Sequence, residues 1–406
     1  MAKVRNWITI KMVKYCKNID ISDKNFIEEA IWECLKNRDA RDFYRQDIQR
    51  VIKEYGTIDK MAEKMSQDIQ RRDLNLPPVF DDVRIDRSNK KLREITIEDI
   101  WQQFYDYVAA KALAPALTRL GYYQCGCVEG KGQIWGIKHI YGFAQKYRYA
   151  THSDIRKCYP SIPQEQLFAF LRRIIKNDDL IWLIETLVTH TMREKTVGIS
   201  IGSRLSIPLC QLYLSLLYHH MEEFHRIRRG KKKKICEKIL IFMDDIYIFA
   251  NSTSNLHKAE KELTRYCSEE LGLNVKETWT MIDLENATLD AMGFRINKGY
   301  VKMRRINYLR TKKALNKFRK NPNEKTAKTL ISGTTNVKYS DSYRFRKKYQ
   351  WKSAAKKARR LISHESKVRN KAAGSGNHCG WQYGLLPDSA QRAGSGSEGS
   401  GDRRNT

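Results

Sequence analysis

A chain of 406 residues with a formal net charge of +30 and 41% hydrophobic residues has room for two or three structural units and a real core. So large a basic excess argues against a merely solubilising surface, because self-repulsion is costly, and for a polyanionic partner. Nine cysteines, scattered and without a paired CxxC knuckle, exclude a disulfide framework or a cysteine-based zinc fold and suit the reduced thiols of a cytoplasm; with no secretory h-region and no apolar run near the ~20 residues of a bilayer span, no membrane association is expected.

Residues 1–85 read as helical and polar. Ile27, Ala30, Ile31, Cys34 and Leu35 recur at helical spacing, and Pro77-Pro78 ends the pattern. The basic stretch RSNKKLR, Arg87–Arg93, leads into a helical segment over Ile97–Leu120. Gly121–Gly132, GYYQCGCVEGKG, is a glycine-rich loop with Lys131; its N–H groups could cradle phosphate, although it lacks the P-loop spacing. Within it Cys125-Gly126-Cys127 lacks further ligands and reads as structural or incidental.

Tyr147–Ile155 reads as a strand ending at Asp154. Pro160 closes it, and Ser161 is expected to cap a helix with Leu167, Phe170, Leu171, Ile174 and Ile175 on its apolar face. Leu180–Thr191 and Leu209–Met221 are apolar helices joined through the connector GISIGSRLSIP, Gly198–Pro208. The run RIRRGKKKK, Arg226–Lys234, is balanced between a solvated loop and a nucleic-acid contact. A helix over Leu256–Leu271 precedes a hairpin around Met292–Met303 that turns at Lys298-Gly299. From Arg304 the chain is strongly basic, with Ile306, Leu309, Leu315 and Phe318 as a packed face. A basic–aromatic block, Tyr343–Arg360, and a Gly/Ser-rich tail with the composition of disorder complete the chain.

The sharpest chemistry lies in KILIFMDDIYIFA, Lys238–Ala250. Ile239–Phe242 and Ile246–Ala250 are strand-forming runs, so a hairpin with Asp244 and Asp245 at its tip is expected. Adjacent carboxylates repel and apolar flanks solvate them badly, a conflict that a divalent cation resolves. A water-facing acidic turn is the competing reading. Asp154, from a distant strand end, completes a set suited to phosphoryl transfer. Asp154 and Asp244 would share two Mg²⁺ ions roughly 3.5–4 Å apart.

In these motifs the chain resembles the reverse transcriptases. FMDD matches their YMDD-type motif with Phe242 for Tyr; SDIRKCYPSI, Ser153–Ile162, is similar to the first palm motif of bacterial members; GISIGSRLSIP resembles the second; AMGFRINKG resembles the motif usually written LGYRI; KKLREI and GYYQCGCVEGKG resemble the finger motifs. The motifs come in the family's order over roughly Lys90–Lys320. The resemblance implies an α+β right-hand polymerase. Its parts would be a helical N-terminal region (1–85), fingers (86–150), a palm with an antiparallel sheet (151–300), a basic helical thumb (301–365) and a disordered tail (366–406).

It further implies that Asp154, Asp244 and Asp245 are catalytic and, with Ile155, bind two Mg²⁺ ions, with Mn²⁺ as a substitute. Lys91, Arg93, Tyr159, Ile201, Gly202 and Ser206 would contact the nucleotide, Tyr159 excluding a 2′-hydroxyl. Phe242, Met243, Met292, Gly293, Arg304, Arg305, Arg310 and Lys313 would contact primer and template. The implied partners are template RNA, primer or cDNA, and dNTPs. Asp244 is expected to bridge both ions and Asp245 to act at one remove.

Among reverse transcriptases the chain is most similar to those of diversity-generating retroelements. Ile201 stands where many relatives have Gln, and the N-terminal region is short and the thumb basic. That likeness implies adenine-directed errors, a small basic accessory protein and a bacterial or phage-encoded cytoplasmic enzyme. Retron, group II intron and phage-defence types are the alternatives within the family, and a catalytically silent RNA-binding scaffold is the alternative outside it. The chain departs from the subgroup at Ser206-Ile207, where Ser-Gln is usual, and near Lys276–Trp279, where either Lys276 substitutes for the usual lysine by a shift of register or that role is vacant.

Overall fold

The structure is a computed structural model that describes residues 13–36, 46–85, 92–193 and 195–374. The described residues form two compact units, one drawn from 1–305 and 335–342, the other from 306–334 and 343–406. Helices and mostly antiparallel strands make an α+β fold.

The first unit begins with helices α1 (Lys24–Lys36), α2 (Gln46–Tyr55) and α3 (Ile58–Arg71). The i, i+3, i+4, i+7 spacing buries Ile27, Ala30, Ile31 and Cys34 in α1. The hairpin of β1 (Phe80–Ile85) and β2 (Leu92–Ile97) follows, so the N-terminal region expected to be helical ends in a strand. Next come α4 (Ile100–Ala112), the short strand β3 (Gln124–Cys125), α5 (Gln133–Lys146) and β4 (Tyr149–Asp154).

After β4 the chain makes the short turn of helix α6 (Cys158–Ser161) before α7 (Gln164–Ile174). Ser161 therefore ends one helix instead of capping the next; Pro163 holds the cap position of α7 and offers no side-chain acceptor. Helices α8 (Asp178–Met192) and α9 (Ser206–Glu223) flank the glycine–serine connector. The basic run is the hairpin β5 (His225–Arg228)–β6 (Lys231–Lys234), not a loop. Strands β7 (Lys238–Phe242) and β8 (Asp245–Ala250), helix α10 (Thr253–Glu270) and β9 (Met281–Asp283) follow. The expected hairpin around 292–303 is the outer part of a three-stranded sheet, β10 (Leu289–Ala291), β11 (Phe294–Ile296) and β12 (Val301–Met303).

The central sheet has the order β3-β7-β8-β4-β9. Its middle strands are apolar on both faces because both faces are covered. Ile239, Ile241, Ile246 and Ile248 belong to one core, under α9 and α10. Leu240, Tyr247 and Phe249 belong to a second, under α5 and the β10–β12 sheet. The period of two along a strand divides the hairpin between two cores. Each fully buried isoleucine there contributes about 1.5–3 kcal/mol, which fixes the register on which the site depends.

The second unit holds most of α11 (Arg305–Lys320), with α12 (Glu324–Ser332), α14 (Tyr343–Lys348) and α15 (Trp351–Gly374); the short α13 (Thr334–Lys338) lies at the border. Thr311, Leu315 and Phe318 form the buried face of α11, whereas Ile306 and Leu309 are 43% and 51% exposed, contrary to expectation. Helix α15 runs to Gly374, past residue 365, where a disordered tail is expected to begin. The rest of that expected tail, 375–406, lies outside the described residues.

Candidate active site

The β4–β8 ladder sets Asp154 directly opposite Asp245. Phe242 pairs with Asp245, so Met243 and Asp244 form a two-residue loop. Met243 takes up a left-handed conformation, φ 57°, which costs a non-glycine residue about 1–2 kcal/mol. Several contacts hold it there. Its N–H donates to the Cys125 carbonyl (3.3 Å), and its carbonyl accepts from Gln211 Nε2 (3.1 Å). A Cβ on Gly126 would lie 2.7 Å from Met243 Sδ. The glycine-rich loop thus seats the hairpin tip. Lys131 turns back into that loop, its Nζ donating to the Tyr122 carbonyl at 3.1 Å, and two of the loop's N–H groups are spent within it, Gly126 on the Lys131 carbonyl (2.8 Å) and Lys131 on the Val128 carbonyl (3.1 Å). Burial pushes the Cys125 thiol up to about 12 and Cys127 upward too, consistent with a structural role.

Beyond Asp154, Ile155 is buried and bridges to Val275, while its N–H points to the Asp244 carbonyl (3.4 Å). The Lys276 N–H donates to the Asp154 carbonyl (2.9 Å), and Lys276 Nζ lies 2.5 Å from Asp154 Oδ1. Asp245 Oδ1 is 2.8 Å from His152 Nε2, and the His152 ring stacks on Tyr247. From α10, buried Glu260 accepts hydrogen bonds from Thr151 and from Ser153 (2.8 Å), bracing β4. Burial, then the charges of Asp245 and Asp154, raise the Asp244 carboxyl above the ordinary aspartate range; Lys276 opposes the shift.

The donor set consists of hard carboxylate oxygens, one of them with an ionised form that burial and neighbouring acids disfavour. That fits a divalent cation, which removes the repulsion. No preassembled group of three or more His, Cys, Asp or Glu ligands exists among the described residues.

Tyr159 lies beside this cluster. Burial raises its phenol first, with Cys210, Cys158 and Asp244 adding to the shift. The connector is tied to the same place, because Ile199 N–H donates to the Tyr159 carbonyl at 2.9 Å. The Ile201 carbonyl accepts from Thr96 N–H (3.1 Å), joining the connector to β2, and Gly202 has φ 132° with the Thr96 carbonyl 2.7 Å from where a Cβ would lie. Close approach to a strand, not to a ligand, requires that glycine. Ser206 is 3% exposed at the start of α9, so its side chain serves packing and not nucleotide contact. Arg93 sits on β2 opposite Arg84, and Lys91 lies outside the described residues.

Met292 (φ 46°) and Gly293 (φ 87°) are the two-residue turn between β10 and β11. The Met292 side chain is 7% exposed and packs on Gly136, which leaves only the turn's backbone to meet a primer. Arg304 is ion-paired with Asp290, and its N–H donates to the Gly293 carbonyl (3.1 Å). It braces the turn. Phe242 is half-buried against the second core, and Arg305, Arg310 and Lys313 are exposed on α11.

Sequence reasoning missed His152, Glu260 and Gln211. His152 was within reach, since it lies two residues before Asp154 and therefore on the same face of β4. Nothing local marks the other two.

Residues 85–309, more than half of the chain, match the family model described as reverse transcriptase (RNA-dependent DNA polymerase). No curated protein matches. Solved structures that match include a telomerase from Candida albicans in complex with a TWJ fragment of telomeric RNA, at 12% identity and TM-score 0.39, covering 72% of this chain and 62% of that one. They also include an apo telomerase from Candida tropicalis truncated from its C-terminal domain, at 13% identity and TM-score 0.40, covering 55% of each chain. The chain spans less than two thirds of those chains' length.

Proposed function

The chain belongs to the reverse transcriptase family, and from that membership we propose that it is an RNA-directed DNA polymerase that makes cDNA on a template RNA. The observation that carries this reading is the register of β4 on β8, with Asp154 opposite Asp245 and Asp244 in the adjoining turn. Residues 86–150 act as fingers, 151–300 as palm and 301–365 as thumb.

Asp154, Asp244 and Asp245, with the Ile155 carbonyl, would hold two Mg²⁺ ions, for which Mn²⁺ could substitute. When bound, the ions supply charge neutralisation at the primer 3′-hydroxyl and the leaving pyrophosphate. His152 fixes the rotamer of Asp245 through its 2.8 Å contact. Lys276, reaching Asp154 from a neighbouring segment, is the proton donor to pyrophosphate. Tyr159 walls the sugar site and selects deoxynucleotides. Arg93, with Lys91, binds the triphosphate, and Arg305, Arg310 and Lys313 track the primer–template backbone.

The finer reading is a diversity-generating retroelement enzyme that acts with a small basic accessory protein. Ile201 supports it, because an aliphatic side chain cannot hydrogen-bond the nucleotide or template as Gln can. The test is primer extension with Mg²⁺, dNTPs and template RNA, with sequencing of the product. cDNA with errors concentrated at template adenines is expected. Accurate cDNA removes the retroelement reading alone, while no cDNA in the presence of template and accessory protein removes the polymerase reading.

A further inference from the structure

The β5–β6 hairpin lies in the chain between α9 and β7, and none of its residues is a partner in the ion pairs of Asp154 and Asp245. Its register sets basic residues against each other: Arg226 opposite Lys233 and Arg228 opposite Lys231, with Ile227 opposite Lys232. Like charges directly across a ladder are destabilising, and an isolated two-stranded hairpin is marginal in water. None of Arg226, Arg229 and Lys231–Lys234 takes part in the ion pairs between described residues. Arg226 Nε is buried without a hydrogen-bond partner.

The hairpin is nevertheless well specified. Arg229 (φ 49°) and Gly230 (φ 72°) give the turn two left-handed residues, the geometry that matches strand twist. Ile235 N–H donates to the Phe224 carbonyl (3.0 Å) and anchors the base, where Ile235 and Cys236 are buried. A shaped ribbon whose cross-strand pairs repel one another calls for an external polyanion.

We propose that this ribbon binds the phosphate backbone of a base-paired stem in the template RNA, outside the strand being copied; this rests on the reading of the chain as an RNA-copying enzyme. Its composition argues for a stem. Lys231–Lys234 are exposed at successive positions and so present charge on both faces of the ribbon. Apart from His225 the ribbon has no aromatic platform on which unpaired bases could stack, and its only groups able to read base edges are Arg and Lys, which the deep, narrow major groove of an RNA duplex keeps from those edges and leaves to the phosphates. Its one apolar residue, Ile227, is 69% exposed and too isolated for a protein-docking patch. Dense charge on a ribbon without an aromatic row suits duplex RNA recognised through its backbone.

The test uses the full chain and the variant Lys231→Thr/Lys233→Thr, which keeps strand-forming residues and removes two of the repelling partners. Binding is measured against salt for an RNA hairpin and for an unpaired RNA of equal length, and primer extension is run on a preannealed, unstructured template. The expected result has three parts. Hairpin affinity falls at least about tenfold and its log–log salt slope shrinks by about two. Binding of unpaired RNA and extension are unchanged, and the melting temperature is equal or higher. Unchanged hairpin affinity overturns the proposal; so does an equal loss on both RNAs, or wild-type binding to phosphatidylserine vesicles that outcompetes the hairpin. Absence of extension by the wild-type chain instead defeats the polymerase reading and leaves the binding comparison to decide the ribbon.

Discussion

Lys276 Nζ sits 2.5 Å from Asp154 Oδ1, so the acid that ends β4 already has a cationic partner. A divalent ion held by Asp154 would compete with the lysine for that carboxylate. Exposed pairs of this kind are worth about 0.2–1 kcal/mol. Lys276→Ala should therefore lower the half-saturating Mg²⁺ concentration by up to about fivefold. If the lysine also protonates pyrophosphate, kcat should fall about 10²–10⁴-fold. Steady-state primer extension across a Mg²⁺ titration separates the effects. A full kcat in the variant would show that Lys276 only holds Asp154 in place.

Asp244 carries the electrostatic cost of the β7–β8 hairpin. Its carboxyl is raised by burial and by Asp245 and Asp154. A raised acid contributes stability that is complete below its unfolded pKa and lost as pH rises through the folded value. Asp244→Asn should remove that loss. The variant should melt higher than wild type at pH 7, with the advantage vanishing towards pH 4. It should also lose synthesis by at least about 10³-fold while binding RNA normally. Asp245→Asn should be milder, because Asp245 is held on His152. Calorimetry at the two pH values and primer extension check both halves. A destabilised Asp244→Asn at pH 7 would contradict the electrostatic account.

A second pair of acids lies far along the chain from the hairpin. Glu98 and Asp106 are both buried, amid Thr191, Ser200 and Ser203. Burial first, then the charge of Asp106 and a hydrogen bond with it, push Glu98 up to about 10; burial pushes Asp106 up to about 6. Glu98 is therefore protonated in the fold at neutral pH. Its contribution is complete below its unfolded pKa, near 4.5, and declines as pH rises through about 10. Glu98→Gln keeps the donor and needs no proton. Its stability should fall less steeply between pH 5 and 9, by at most about 1.4 kcal/mol per pH unit, the slope of one proton. Denaturant unfolding at several pH values measures this. Parallel pH curves for variant and wild type would mean that Glu98 is ionised in the fold.

The hairpin, Asp154 and the helices with strong apolar periodicity were legible in the sequence, since strand and helix periods register directly in residue order. The β1–β2 hairpin was not. Phe80, Val83, Ile85 and Leu92 are exposed, so no alternation of apolar and polar residues marks a buried face. A motif points to Met292 and the basic composition to Arg304 as primer contacts, and neither signal shows that Met292 packs on Gly136 and Arg304 pairs with Asp290. Lys276 meets the expected lysine position only through a register shift. The bridge between Ile155 and Val275 that delivers it to Asp154 is a tertiary pairing without a local signal. The like-charge register of the basic run was equally hidden, because Arg229-Gly230 reads as a turn only once the flanking lysines are known to form a strand.

Gly202 gives the sharpest test of how the connector is held. Its φ of 132° strains any side chain, and an added Cβ would meet the Thr96 carbonyl at 2.7 Å. Gly130 is also left-handed, φ 75°, but has nothing within 4 Å of the added atom. Gly130→Ala should cost only the backbone strain, about 1 kcal/mol. Gly202→Ala should cost that and more, about 2–3 kcal/mol, because the carbonyl belongs to a strand and cannot swing aside. The clash pushes β2 from the connector and breaks the 3.1 Å bond from Thr96 N–H to the Ile201 carbonyl. Since β2 carries Arg93, the KM for dNTP should rise more than kcat falls. Thermal unfolding of both variants with steady-state kinetics checks the argument. Equal losses of stability would show that the conformation, not the contact with β2, is what the glycine serves.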